Sequence, residues 1–230
     1  MNTYNGKNMY NITLIGTQHR ELGKCNSEEL YKIVETINPD VIFEELPIRS
    51  FDNMYNGNLI DIPVEVMCIK KYLQNNKFEH IPVDSIADPD RSPLEKLMFD
   101  KFKRDTEYRK IKNEHNSLIA REGFDYLNSD KCMDLVEKWM LIEKNIVESD
   151  KHKDLYLQPH LFFYEDVDNR ENVMLQNIYK YSKENQYYQA VFFLGCGHRK
   201  SIISKIAAYE KRAEIKLNWT MYGETKKTSP

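Results

Sequence analysis

The sequence predicts an α/β fold, a central sheet flanked by helices and interrupted by a helical insertion. Three observations point to it. Gly16-Thr17-Gln18-His19 and Gly195-Cys196-Gly197-His198 each end a short apolar run, one near each end of the chain. Each turn is followed by residues of helical periodicity and then by a further apolar run, which makes two strand-GxxH-helix-strand units. The stretch from about 92 to 185 has almost no strand character.

Tyr10 to Ile15 reads as a buried strand stopped by Gly16. Asn26 or Ser27 can cap the following helix, and Glu28 and Glu29 stand in its first turn, where the helix dipole favours acids. Leu30, Ile33, Val34 and Ile37 then repeat at helical spacing until Pro39. Val41 to Glu45 is a second strand, leading out through Leu46 and Pro47. A helix at Val64 to Asn75 and a strand at His80 to Asp84 come next. Within the insertion, Leu94, Leu97, Met98 and Phe102, then Met133, Leu135, Val136, Trp139 and Ile142, indicate two or three long helices with turns near Gly123 and Asn128-Ser129-Asp130. The last unit pairs a strand at Ala190 to Leu194 with a helix at Ser201 to Ala208 and a strand at Ile215 to Trp219.

A chain of 230 residues suits one domain, and 41% apolar residues with 15 Tyr and 10 Phe supply its core. A formal charge of −3, with basic and acidic residues interleaved, disfavours nucleic acid as a partner. The start lacks the cationic and apolar regions of a secretory signal, and no later apolar run reaches membrane-spanning length, so a cytoplasmic location with no membrane partner is expected. Cys25, Cys68, Cys132 and Cys196 form no Cys-x-x-Cys pair and are expected as reduced thiols.

A glycine at a strand's carboxyl end lets the chain turn sharply and aim the next polar side chain into the crevice where open α/β sheets bind ligands. His19 and His198 are both delivered in this way, as metal ligands or general bases. Side chains alternate along a strand, so only one of Glu44 and Glu45 can face such a site, and Glu45 is the candidate. The second unit carries no acid at the equivalent strand end, which makes the site asymmetric. Arg49, Arg91 and Arg170 could clamp a carboxylate or phosphate or stabilise an oxyanion. Cys196, two positions before His198, reads as a small residue filling a tight turn.

The order of these motifs resembles the TraB/GumN/Tiki family, within the wider superfamily of erythromycin esterase-like and haem-binding ChaN-like proteins. The resemblance runs through Gly16 to His19, Pro39-Asp40-Val41 to Glu45-Leu46, Arg49, Glu65, Arg170 with Met174, and Gly195 to His198 with Ile202. It implies a mixed central sheet and a single domain over residues 1–230, with the insertion at about 92–185. Tiki-like members imply a metal-dependent peptidase with the paired histidines and glutamates at its site. The family's small or apolar residue after each motif histidine is replaced here by Arg20 and Arg199, whose charge disfavours a dication unless the side chains point away.

The combined expectation is an enzyme, a metal-dependent hydrolase of a peptide, amide or ester bond in a peptide or small-molecule substrate. His19, Glu45 and His198 would hold a divalent manganese, cobalt or zinc ion. Glu65 would be a fourth ligand or the general base, and Arg49 and Arg170 would orient substrate. The rival expectations are a metal-independent esterase-like hydrolase and a non-catalytic module binding haem or a partner protein. Apolar faces on the insertion helices could pair two chains as a homo-oligomer.

Overall fold

The computed structural model describes residues 3–4, 7–57, 60–85 and 92–224, and side chains from Met9 onward within them. Arg91 lies outside the described residues. The short strands β1 (Thr3–Tyr4) and β2 (Lys7–Asn8) pair antiparallel apart from the main sheet. The main chain then runs β3 (Asn11–Thr17), α1 (Ser27–Ile37), β4 (Val41–Pro47), α2 (Ile48–Asn56), α3 (Val64–Leu73) and β5 (Glu79–Asp84). The insertion comprises α4 (Pro93–Arg104), α5 (Thr106–Glu122), α6 (Phe124–Leu127), α7 (Asp130–Ser149) and α8 (Lys153–Glu184). It is followed by β6 (Gln189–Gly195), a 3-10 turn at Cys196–His198, α9 (Arg199–Arg212) and β7 (Asn218–Met221).

The five strands of the central sheet lie in the order β5-β4-β6-β3-β7. All of them run parallel. From the central pair β3 and β6 the two crossovers leave in opposite directions: α1 carries the chain past β6 to β4, and α9 carries it past β3 to β7. Adjacent strands whose connections diverge form the crevice in which open parallel sheets bind ligands. Thr17 is in register with Gly195, so both GxxH turns leave the sheet side by side.

The alternation of side chains sorts the strands onto two cores. Ile15, Ile42, Val191 and Phe193 face α1, α3, α5 and α7, packing on Leu30, Val34, Cys68 and Ile119. Ile12, Leu14, Phe43, Phe192 and Leu194 face α8 and α9, packing on Met174, Ile178, Ile202 and Ile206. Both faces are covered, and this is why these strands read as near-continuous apolar runs.

Asn26 is the cap of α1, its side chain accepting from the Glu29 N–H at 3.0 Å. The turns expected near Gly123 and Asn128 separate α5, α6 and α7. The insertion holds more helices than the two or three expected, because the long periodic stretch is cut by caps at Asp105 and Ser129. The last strand begins three residues later than its apolar run, at Asn218, since α9 extends to Arg212. Among the described residues no helix is long and apolar enough to cross a membrane.

Candidate active site

The site is built at the carboxyl ends of β3, β4, β5 and β6 and closed by α3 and α8. Glu45 lies close against the backbone of Gly195: the Gly195 N–H donates to Glu45 Oε2 at 2.6 Å, and a Cβ at this position would stand a tight 3.2 Å from that oxygen. Gly16 is held from the insertion, its N–H donating to Asn128 Oδ1 at 2.6 Å while Asn128 Nδ2 donates to its carbonyl at 3.0 Å. The helical insertion thus fixes the first GxxH turn.

Two carboxylates hold the His198 ring. Nδ1 lies 2.8 Å from Glu171 Oε1 on α8, and Nε2 lies 3.2 Å from Glu45 Oε1. Burial alone would lower the His198 pKa, but the charges of Glu45 and Glu171 and their bonds to the ring prevail and push it up to about 10. Glu45 shows the reciprocal effect: burial would raise its pKa, whereas the His198 charge and bond, the Gly195 N–H and His19 draw it down to about 2. Burial opposes ionisation of Glu171 as well, yet His198, Lys205 and Ser201 lower its pKa. Lys205 Nζ donates to Glu171 Oε2 at 2.8 Å.

His19 is placed differently. Its side chain is 64% exposed, with Nδ1 3.5 Å from Glu65 Oε1. The bond to Glu65 is the main cause that raises its pKa to about 9, against an opposing effect of burial. Glu65 projects from the first turn of α3 and accepts from Thr17 Oγ1 at 2.5 Å, while its Oε2 is buried without a hydrogen-bond partner. A pocket of about 240 Å³ opens here, lined by His19, Glu44, Glu45 and Glu65 together with apolar side chains.

Arg170 on α8 donates from Nη2 to Asp84 Oδ2 at 2.6 Å and to Glu45 Oε1 at 3.2 Å, and from Nε to both Asp84 oxygens at 3.2 Å. Nε and Nη2 are thus engaged with Asp84 and Glu45, which ties Arg170 to the Glu45 carboxylate. Arg49 stands exposed on α2 and joins no ion pair of this cluster. Glu44, on the opposite strand face from Glu45, accepts from the Tyr55 hydroxyl and pairs with His80 Nδ1 at 2.9 Å. Arg199 is fully buried and directs its guanidinium away from the site, toward Met133 Sδ at 3.2 Å and Glu224 at 3.5 Å. Arg20 is exposed.

The structure therefore brings together His19, Glu45, Glu65, Arg170 and His198, and leaves Arg49 apart. It adds Asp84, Glu171 and Lys205, which sequence reasoning did not single out. Asp84 ends a parallel strand, as Glu45 does, and that position was the available signal; Glu171 adjoins Arg170 on one helix.

The site's formal charges leave a deficit. Among the described residues, Glu45, Glu65, Asp84 and Glu171 face only Arg170 and Lys205 as permanent cations, and the further partner of Lys205, Asp168, is exposed. Protons on the two imidazoles, or one divalent cation, would balance the remainder. The donor set, two imidazoles and several carboxylates, suits such an ion in its chemistry. Glu171 also holds His198 by Nδ1, the outer carboxylate contact that metal-ligating histidines make. Among the described residues, no three His, Cys, Asp or Glu side chains already surround one point. The His19 side chain is the more exposed of the two imidazoles and lines the mouth of the pocket. No family model, curated protein or solved structure matches the chain.

Proposed function

We propose that the protein is a metal-dependent hydrolase of peptide, amide or ester bonds, with His19, His198 and Glu45 as ligands of a divalent manganese, cobalt or zinc ion. The observation that carries the reading is that the two GxxH turns, from opposite ends of the chain, leave adjacent strands beside Glu45, in a site short of positive charge. The order of motifs that resembles the TraB/GumN/Tiki family supports the same reading. When bound, the ion would lower the pKa of a water toward about 7 and so supply a nucleophile.

The chain's own residues do the rest. Glu171 holds the Nδ1–H of His198 and turns Nε2 toward Glu45. Arg170, anchored on Asp84, holds Glu45 in place. Glu65, which lines the pocket and whose Oε2 is a buried acceptor without a hydrogen-bond partner, is the candidate general base. The test is hydrolysis of a peptide and ester panel by native protein, with elemental analysis. The reading expects about one divalent ion per chain, loss of activity with a chelator, and recovery on adding the ion back.

One observation favours a second reading, catalysis without metal: the His198 ring is already spanned by two carboxylates, a complete hydrogen-bonded chain. It then acts as general acid with Glu65 as base. Activity that survives chelation would select this mechanism.

A further inference from the structure

We propose that the pocket beside His19 is a specificity pocket that seats one uncharged side chain of leucine, methionine or phenylalanine size, next to the scissile bond of a linear peptide. The inference rests on the hydrolytic reading above and adds the substrate class. The cavity measures about 240 Å³. Sites for whole small molecules run to roughly 300–1,000 Å³, so this one holds a single side chain. Its walls are Leu46, Met54, Pro63, Val66 and Phe193.

Charge narrows the choice further. Glu44, Glu45 and Glu65 line the same pocket, so an acidic side chain would be repelled. A lysine or arginine gains little, because Glu44 is engaged by Tyr55 and His80, and Glu45 by Arg170, His198 and Gly195. It would give up its hydration for the one free oxygen of Glu65.

A second, shallower hollow of about 440 Å³ shares His19 and Pro63 with the pocket and continues past Arg20, Asp61, Ile62 and Met67. The two hollows meet at His19, which places the bond to be cut there and lets the rest of an extended chain leave over the open side.

Two measurements test the proposal. In protein labelled at methionine methyls, 4-methylpentanamide, a neutral leucine mimic, should move the Met54 resonance, and the acidic analogue succinamate should not. Val66→Phe, which fills the pocket, should abolish that shift. With blocked peptides differing at one residue, kcat/KM should favour leucine over alanine at least tenfold and over aspartate by about a hundredfold or more, as apolar pockets discriminate. Val66→Phe should reverse the leucine-to-alanine preference. Should that variant misfold, Met54→Ala on α2, a helix with no buried residue, should shift preference from leucine to phenylalanine.

A Met54 resonance unmoved in the wild type, or equal kcat/KM for leucine and aspartate peptides, overturns the pocket. A moved resonance in a protein that cleaves neither peptide nor ester keeps the pocket and rejects hydrolysis. Cleavage without leucine preference does the reverse.

Discussion

The two GxxH turns share a sequence pattern and a position in the sheet, yet their histidines are held in opposite ways. His198 is buried and bonded through both ring nitrogens to Glu45 and Glu171. His19 is largely exposed and has only a long contact to Glu65, while its turn is pinned through the backbone of Gly16 by Asn128. The difference teaches a division of labour. The second turn orients the site, and the first offers an exposed imidazole at its mouth, where the pocket and the open hollow meet.

The sharpest way to break this contrast is to truncate each ring. His198→Ala leaves Glu45 and Glu171 without their shared partner inside the protein, and removing one member of a buried ionic pair costs about 3–5 kcal/mol. His19→Ala should stay within about 1 kcal/mol of wild type, the range of surface ion pairs, while losing function equally. Urea unfolding of both variants decides it, and equal destabilisation would refute the division of labour. Next comes Asn128→Ala, which strips the Gly16 N–H and carbonyl of their buried partners and should cost about 1–3 kcal/mol. Hydrogen exchange should show the loss at Gly16, with the Gly195 N–H still protected.

The pH dependence sharpens the same contrast. His198 rises from 6.5 to about 10 on folding, so in metal-free protein its contribution is fully present below about pH 6.5 and is lost as pH climbs through 10. Glu45 falls from 4.5 to about 2, so its contribution is present above pH 4.5 and is lost as pH drops toward 2. Denaturation midpoints between pH 6 and 10 should fall in the wild type and flatten in His198→Gln. His19→Gln should flatten them less, because water screens an exposed pair. The smallest effect belongs to Arg49→Ala, within about 0.5 kcal/mol in stability, with metal binding unchanged.

Much of this was legible in the chain because strand ends and glycines are local features. The apolar runs of β3, β4 and β6 and the stops at Gly16 and Gly195 follow from strand and turn chemistry, whereas alternation allowed only one of Glu44 and Glu45 to face the site and both line its pocket, where β4 shifts register after Glu44. What escaped depends on distance. Glu171 reaches the site only through the packing of α8 on the sheet, which leaves no local pattern, and Asp84, whose strand-end position was legible, joins it because β5 lies beside β4. Asn128 acts on Gly16 across 112 residues of chain. Helix α2 carries Ile48, Phe51, Met54 and Tyr55 at helical spacing, but it is only nine residues long and buries none of them, and the sequence reads there as no more than an exit through Pro47.

The claim that both turns serve one metal site is tested most directly by calorimetric titration of manganese or zinc into metal-free wild type, His19→Ala and His198→Ala near pH 8, in buffers of different ionisation enthalpy. With imidazole pKa values of about 9 and about 10, one ion should bind the wild type and displace close to two protons, and neither variant should bind it. Undiminished binding in either variant, or uptake that releases no protons, would contradict the shared site.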